Sequence, residues 1–242
     1  MAPKSSFAAA ATAVLALTSS VVAAPSQSVA ERDDSGSSLT TQLTIADSYS
    51  QSNAGFLTST VDKFNLLKDE DFVFDFKTGP LAYRKNFPAL STVGGAMAYA
   101  SLPACGMVAL HQHLRANELF VVTSGKIYSE MVPEAGVVAN GADRIIKTEL
   151  TAGQMTIFPQ GTLHTQVNMQ CQNASAVASF TSDDPGTIMV LPKAFTLTDG
   201  LVQTSFGTIF EGKDIDSVRQ ALPSGALMMV EECLKRCNIT KN

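Results

Sequence analysis

Apolar and polar positions alternate in short runs from about residue 72 to about residue 210. Phe72, Phe74 and Phe76 alternate with polar or smaller residues at a period of two, which predicts a half-buried strand. Turn formers such as Gly94-Gly95 and Asn140-Gly141 interrupt the later runs every ~8 to 15 residues, a spacing typical of antiparallel sandwiches and barrels. The pattern therefore predicts an all-β fold.

Helical periodicity is concentrated near the end of the chain. The segments Asp214 to Leu222 and Ala226 to Arg236 each suit a short helix, and Pro223 and Gly225 end the first. No internal repeat indicates a second copy of the domain. We expect one β-domain over residues 60–213, followed by a C-terminal helical segment over residues 214–242.

The first 59 residues differ in composition from the rest. Residues 1–23 place one lysine before an apolar run that ends in small residues, which is typical of a cleaved secretory signal peptide. Residues 24–59 are rich in Ser and Thr and predict a loosely docked N-terminal arm. No later run reaches the ~20 apolar residues of a membrane-spanning helix. We expect a protein that is secreted, extracellular or in the cell wall, with no membrane span.

Charge and cysteine content limit the possible partners and compartment. The net charge of −5 offers no basic surface for nucleic acid. An exported chain with four cysteines predicts disulfides, and three pairings are possible among Cys105, Cys171, Cys233 and Cys237. Asn173 and Asn238 begin acceptor sequons for N-glycosylation.

The chain has three histidines, and two of them are spaced for ligation. His111 and His113 lie at i and i+2, which on a strand puts both imidazoles on one face. Glu118 opens the apolar run of the next strand, where an uncompensated carboxylate would be costly. His164 follows a proline and glycine turn that could deliver it from another strand. Three nitrogens and one carboxylate suit manganese, iron, zinc, nickel or copper better than calcium or magnesium.

These positions resemble the two sequence boxes of the germin branch of the cupin superfamily. The first box contains His111, His113 and Glu118, followed by Gly125. The positions that match the second box are Gly153, Pro159, Gly161, His164 and Asn168. The serine- and threonine-rich arm is more similar to that of secreted spherulin-like cupins than to plant germins. The resemblance implies a cupin jelly-roll β-barrel, manganese on His111, His113, Glu118 and His164, and a homo-oligomer. The glycines, Pro159 and Asn168 have structural roles in their turns.

The resemblance also implies a cysteine pairing. In this family the strand of the paired histidines lies antiparallel to the strand after the last histidine, which favours Cys105 with Cys171 and leaves Cys233 with Cys237. The second bridge would be cramped on a regular helix. Alternation along the strands puts Cys105 and Cys171 out of phase, so the first bridge would require a β-bulge.

Three functions follow from the resemblance. The first is a metal-dependent oxidoreductase of oxalate-oxidase or superoxide-dismutase type, although Val108 replaces the asparagine of oxalate-oxidising germins. They also have glycine at the position of Cys105 and proline at that of Leu114. The second is a non-catalytic wall, spore or stress protein with a stabilising metal. The third is a cupin that acts on a small aromatic or natural-product substrate in an apolar pocket. The candidate lining residues of that pocket are Met155, Ile157, Phe158 and Leu163.

Overall fold

The structure is a computed structural model and describes residues 59–207, 212–222 and 225–240. The predicted signal peptide, and the arm except for Ser59, lie outside these residues. The longer strands are β2 Ala96–Leu102, β3 Gly106–His113, β4 Glu118–Ser124, β5 Lys126–Val132, β8 Ile146–Thr151, β9 Met155–Phe158, β10 Leu163–Val167 and β11 Ala174–Phe180. The shorter ones are β1 Leu81–Ala82, β6 Val138–Ala139, β7 Ala142–Asp143, β12 Thr187–Met189 and β13 Leu227–Met229.

Two antiparallel sheets form the barrel. The first has the strand order β1-β2-β11-β4-β9, and the second has the order β12-β3-β10-β5-β8, with β13 also paired to β3. The inward faces of both sheets carry the buried side chains, such as Phe120, Ile127 and Phe180. Polar or partly exposed residues alternate with them on the outside. The prediction of an all-β jelly roll is confirmed.

Short helices surround the barrel: α1 Thr60–Leu66, α2 Val190–Ala194, α3 Asp199–Ser205, α4 Gly212–Ala221 and α5 Glu231–Cys237. Short 3-10 turns span Asp69–Phe72 and Pro88–Leu90. The helix predicted over Asp214 to Leu222 matches α4 to within two residues. None of the helices in the described ranges is long and apolar enough to cross a membrane.

The predicted strand around Phe72 to Phe76 is wrong. Its first residue ends a 3-10 turn, and the remainder has no partner strand. The phenylalanines contact other rings instead: Phe74 lies 5.1 Å from Phe76 and 5.5 Å from Phe87 between ring centroids. Alternation therefore came from aromatic packing along an extended segment, because a period of two does not specify a neighbouring strand.

The predicted helix over Ala226 to Arg236 begins five residues later than expected. Its first part is β13, in which Leu227 pairs with Val108 and Met229 with Gly106. On this edge of β3, β12 pairs only with the half that carries the histidines. The unpaired backbone groups of the other half favour the addition of a strand.

The four cysteines form two disulfides, but the favoured pairing is wrong. Cys105 bonds to Cys233, and Cys171 bonds to Cys237. The backbone of β13 leads directly into this arrangement, because Val230 N–H donates to the Cys105 carbonyl and α5 begins at the next residue. Cys233 and Cys237 share one face of α5 with their sulfurs 3.9 Å apart, and each bonds to a different loop of the barrel.

Candidate metal centre

The predicted ligand residues of the two sequence boxes meet inside the barrel. His111 and His113 lie on β3, and His164 lies directly opposite His111 on β10. Glu118 begins β4 in the facing sheet, so the chain between residues 113 and 118 crosses from one sheet to the other. All four residues are at least 95% buried. Their candidate ligand atoms lie within 4.8 Å of one another, so they could hold one metal ion.

The approach to His164 is a tight turn. Gly161 adopts a φ of +80°, which L-residues with a side chain rarely adopt. Thr162 N–H donates to the Pro159 carbonyl, and Gly161 N–H donates to the His113 carbonyl. This turn carries the chain from β9 in the first sheet to β10 in the second, which explains the proline and glycine of the second box.

Glu118 is the common partner of two imidazoles. Its Oε2 lies 3.0 Å from His113 Nε2 and 3.1 Å from His164 Nε2. Burial by itself would raise the pKa of Glu118, but the contacts with the His113 and His164 rings outweigh it and lower the pKa to about 2. The carboxylate is therefore ionised in the interior.

Each imidazole is held at its other nitrogen. His111 Nδ1–H donates to the Ala109 carbonyl at 2.8 Å, and His164 Nδ1–H donates to the Thr162 carbonyl at 2.8 Å. His113 Nδ1 is hydrogen-bonded to Thr187 Oγ1 at 3.1 Å. A hydrogen bond at Nδ1 leaves Nε2 for a metal, an arrangement common around metal-ligating histidines.

The tautomer of His164 makes a cation a good fit to these residues. A carbonyl oxygen can only accept, so the proton of neutral His164 lies on Nδ1 and its Nε2 presents a lone pair. That lone pair faces the Glu118 carboxylate at 3.1 Å, and two acceptors at this distance need a positive charge between them. A proton or a metal ion would supply it.

Burial lowers the pKa of His111. Desolvation, followed by repulsion from His164, lowers its pKa from 6.5 to about 4. Its ring centroid lies 4.3 Å from that of His164. At neutral pH the ring is therefore neutral, which is the state that ligates metals.

Sequence reasoning did not identify Phe180, Gln166 or Thr187 as neighbours of the cluster, and it named Phe158 only as a pocket-lining residue. The Phe158 ring stacks on His164 at 4.3 Å, and the Phe180 ring meets His113 edge-on at 4.6 Å. Gln166 is 2% exposed, and its Nε2 lies 3.5 Å from Glu118 Oε1. The i+2 spacing from His164 could have identified Gln166, whereas no sequence signal marked Thr187.

A cavity of about 400 Å³ opens onto His111, His113 and Glu118. The predicted apolar lining is wrong at Met155 and Ile157, which are 55% and 48% exposed on the outer face. Phe158 and Leu163 are also not among the cavity residues. Residues from eight strands line the cavity, among them Leu81, Ala98, Val108, Met189 and Leu227. Val108, one of the positions that differ from the oxalate-oxidising germins, does line the cavity.

A bulge in β3 brings Val108 to the cavity. On β10, His164 pairs with His111 and Gln166 with Val108, so a step of two residues along β10 corresponds to a step of three along β3. Without this shift, strict alternation would point Val108 and His111 to opposite faces. The bulged residue Ala109 also supplies the carbonyl that holds His111.

Comparison with known proteins places the chain in a family. The cupin family model matches residues 77–211. Spherulin-1A of Physarum polycephalum is 34% identical over 194 residues, which cover 75% of this chain and 76% of that protein. Germin-like protein subfamily 3 member 1 of Arabidopsis thaliana is 33% identical, covering 53% of this chain and 58% of that protein.

Among solved structures, a recombinant oxalate oxidase in complex with glycolate has the same fold. It superposes with a TM-score of 0.56 at 18% identity and covers 65% of this chain and 84% of that one. At this identity the likeness concerns the fold alone. The chain therefore belongs to the cupin family, among the relatives of the spherulins and germin-like proteins.

Proposed function

We propose that the protein is a secreted, metal-dependent oxidoreductase in which His111, His113, Glu118 and His164 hold one divalent transition-metal ion. Manganese is the first candidate, because the family resemblance implies it, and other divalent transition metals suit the same donors. The observation that carries the proposal is the convergence of buried imidazole nitrogens on one ionised carboxylate, beside an open cavity.

The side chains around the site have distinct tasks in this proposal. The metal, when bound, supplies Lewis acidity and a route for electrons. The Ala109 and Thr162 carbonyls hold the Nδ1 protons of two ligands, which fixes the direction of each Nε2. The Gln166 amide, beside Glu118, can hydrogen-bond to an oxygen of a bound substrate. The apolar wall limits the entry of water.

Oxalate and superoxide are the first substrates to test. The secreted protein would be analysed for bound metal, for hydrogen peroxide release from oxalate, and for superoxide dismutation. His111→Ala should lose metal and activity, whereas Gln112→Ala, on the same strand but not in the ligand cluster, should retain both. Unchanged turnover in a metal-free His111→Ala protein would refute the proposal.

A non-catalytic role is the second candidate. The buried ligand cluster joins β3, β4 and β10 across both sheets, so a bound ion would stabilise the barrel even without turnover. Full metal occupancy, a large loss of thermal stability on chelation and no turnover with either substrate would favour a wall, spore or stress protein.

Secretion and glycosylation belong to the same proposal. Two disulfides in one chain are typical of proteins that fold in an oxidising compartment. Asn173 and Asn238 are both exposed, as glycan acceptors must be. Mass spectrometry of the secreted protein before and after enzymatic deglycosylation would test both positions.

A homo-oligomer is proposed from the outer face of the first sheet. Four partly exposed apolar side chains lie on its strands β2 and β9: Met97, Tyr99, Met155 and Ile157. Leu119 and Val121 of β4 pair with Ile157 and Met155, so the apolar surface continues across neighbouring strands. Contiguous apolar surface of this kind is typical of protein interfaces, and a second copy of the chain is the proposed partner.

A further inference from the structure

The cavity beside the ligand cluster is larger and more apolar than a small dicarboxylate requires. Its volume of about 400 Å³ lies within the range of sites for drug-sized ligands. Leu81, Val108, Met189 and Leu227 contribute to its wall from four different strands. Oxalate presents oxygen on every side and would leave this apolar surface without a partner.

Small side chains create the room. On the inward face of the first sheet, Ala98 pairs with Ala178 and Ala100 pairs with Ala176. Three of these four alanines, at positions 98, 100 and 178, line the cavity. Alanine at neighbouring inward positions leaves volume that leucine or phenylalanine would fill. The open space is therefore a property of the sequence at these positions.

The charges around the cavity favour a monoanion. No lysine or arginine is found among the cavity-lining residues in the described part of the chain. A divalent cation on neutral histidines and one ionised carboxylate leaves a single positive charge. One monoanion neutralises that charge, whereas a dianion would leave a net negative charge in apolar surroundings, which is costly.

The polar groups available to a ligand are few. Thr187 Oγ1 is already bonded to His113 Nδ1. Gln166 makes one long contact of 3.5 Å, to Glu118, and its amide is the buried side-chain group left for a ligand oxygen, whereas the polar lining residues Tyr99 and Ser101 are exposed. One amide can orient a single chelating head, but it cannot pair with every oxygen of a dicarboxylate.

We infer that the metal cavity takes a monoanionic oxygen chelator with an apolar body, and that Val108 and Leu227 determine this preference over a small dianion. The inference rests on the proposed function, because it requires the metal. Val108 lies on the bulge beside His111, and Leu227 pairs with it from β13. Together they form one adjoining part of the apolar wall.

Three ligands separate charge from apolar contact. Oxalate is a dianion with no apolar body, and glyoxylate is a monoanion with no apolar body. Phenylglyoxylate is the corresponding monoanion with a phenyl group as its apolar body. Binding would be measured by calorimetry on the full-length secreted protein loaded with zinc, which does not cycle between redox states. Phenylglyoxylate should bind about 10- to 100-fold more tightly than glyoxylate, the factor expected for burying one aromatic group.

Two substitutions test the named residues, and each has a matched control. Val108→Asn should raise the affinity ratio of oxalate to phenylglyoxylate about tenfold or more, because it adds a hydrogen-bonding group. Val138→Asn, on the exposed strand β6 and outside the cavity wall, should leave the ratio unchanged. Leu227→Ser should weaken the binding of phenylglyoxylate about threefold or more without changing the affinity for glyoxylate. Leu197→Ser is its control, since Leu197 is 51% exposed against 52% for Leu227 but does not line the cavity.

Metal analysis before each titration separates the two proposals. A protein that binds no metal overturns both the proposed function and this inference. A zinc-loaded protein that binds phenylglyoxylate no more tightly than glyoxylate, or whose ligand ratios are the same in Val108→Asn and Val138→Asn, overturns this inference alone. The ratios between variants are informative because the intrinsic affinity of each ligand for zinc cancels.

Discussion

Removal of either disulfide should destabilise the protein and loosen the wall of the metal cavity. The two disulfides hold α5, and the strand before it, β13, supplies Leu227 and is flanked by Ala226 in the cavity wall. The perturbations are two double substitutions, Cys105→Ala with Cys233→Ala and Cys171→Ala with Cys237→Ala. Alanine avoids burying a new hydroxyl where Cys105 and Cys233 are fully buried.

The magnitude follows from the lengths of the closed loops. The disulfides join residues 128 and 66 positions apart. Loop-closure entropy then gives about 5 kcal/mol for the first disulfide and about 4 kcal/mol for the second. Loss of buried sulfur at Cys105 and Cys233 adds a packing cost to the first. The first double variant should therefore have the lower free energy of unfolding.

Urea unfolding followed by far-ultraviolet circular dichroism is a suitable assay, since the chain has no tryptophan. Metal titration of the folded variants would report the second effect, because one disulfide instead of two then holds the segment that contains Ala226 and Leu227. Both double variants should bind metal more weakly than the wild-type protein. The Leu197→Ser protein, which retains both disulfides, serves as the control for handling and expression.

Two results would refute this reasoning. One is a free energy of unfolding for the Cys105 and Cys233 variant within about 1 kcal/mol of wild type, far below the loop-closure value. The other is a non-reducing peptide map in which Cys105 is joined to Cys171. That map would restore the pairing that the family resemblance favoured and would leave α5 attached to the barrel by packing alone.

Three further predictions concern acid stability, assembly and the turn after His164. Without metal, the lowered pKa of His111 means that the unfolded chain binds more protons than the folded protein between pH about 4 and 6.5. The free energy of unfolding should therefore rise with pH across this window, by about 3 kcal/mol. Urea midpoints measured against pH should give a flatter profile for His111→Gln than for the wild-type protein. Ile157→Lys should reduce the molar mass measured by light scattering, whereas Lys147→Ala, in the other sheet, should not. Asn168→Ala should lower the free energy of unfolding by about 3 kcal/mol. The fully buried amide shares its two N–H hydrogens among three carbonyls and accepts from Gln170 N–H. An unchanged urea midpoint would contradict this prediction.

The sequence alone determined the fold class and the ligand cluster. Alternation in short runs reflects the period of two in a sheet with one buried face, and this signal is local. The i and i+2 spacing of His111 and His113 is also local, since it depends only on the geometry of one strand. Glu118 was indicated by the apolar run that it opens, and His164 by the turn before it. Their meeting with the paired histidines rested on the family resemblance, because the sequence does not state which strands become neighbours.

Tertiary structure decided the cysteine pairing, the cavity wall and the extra strand. Cys233 meets Cys105 only because β13 fills an unpaired edge of β3, and an open edge depends on the whole sheet order. Val108 faces the cavity only because a bulge shifts its phase relative to His111. The phenylalanines around Phe74 show the converse, since they alternate correctly for a strand but no described strand pairs with them. Local periodicity fixes which way a side chain can point, whereas contacts between distant segments fix what it meets.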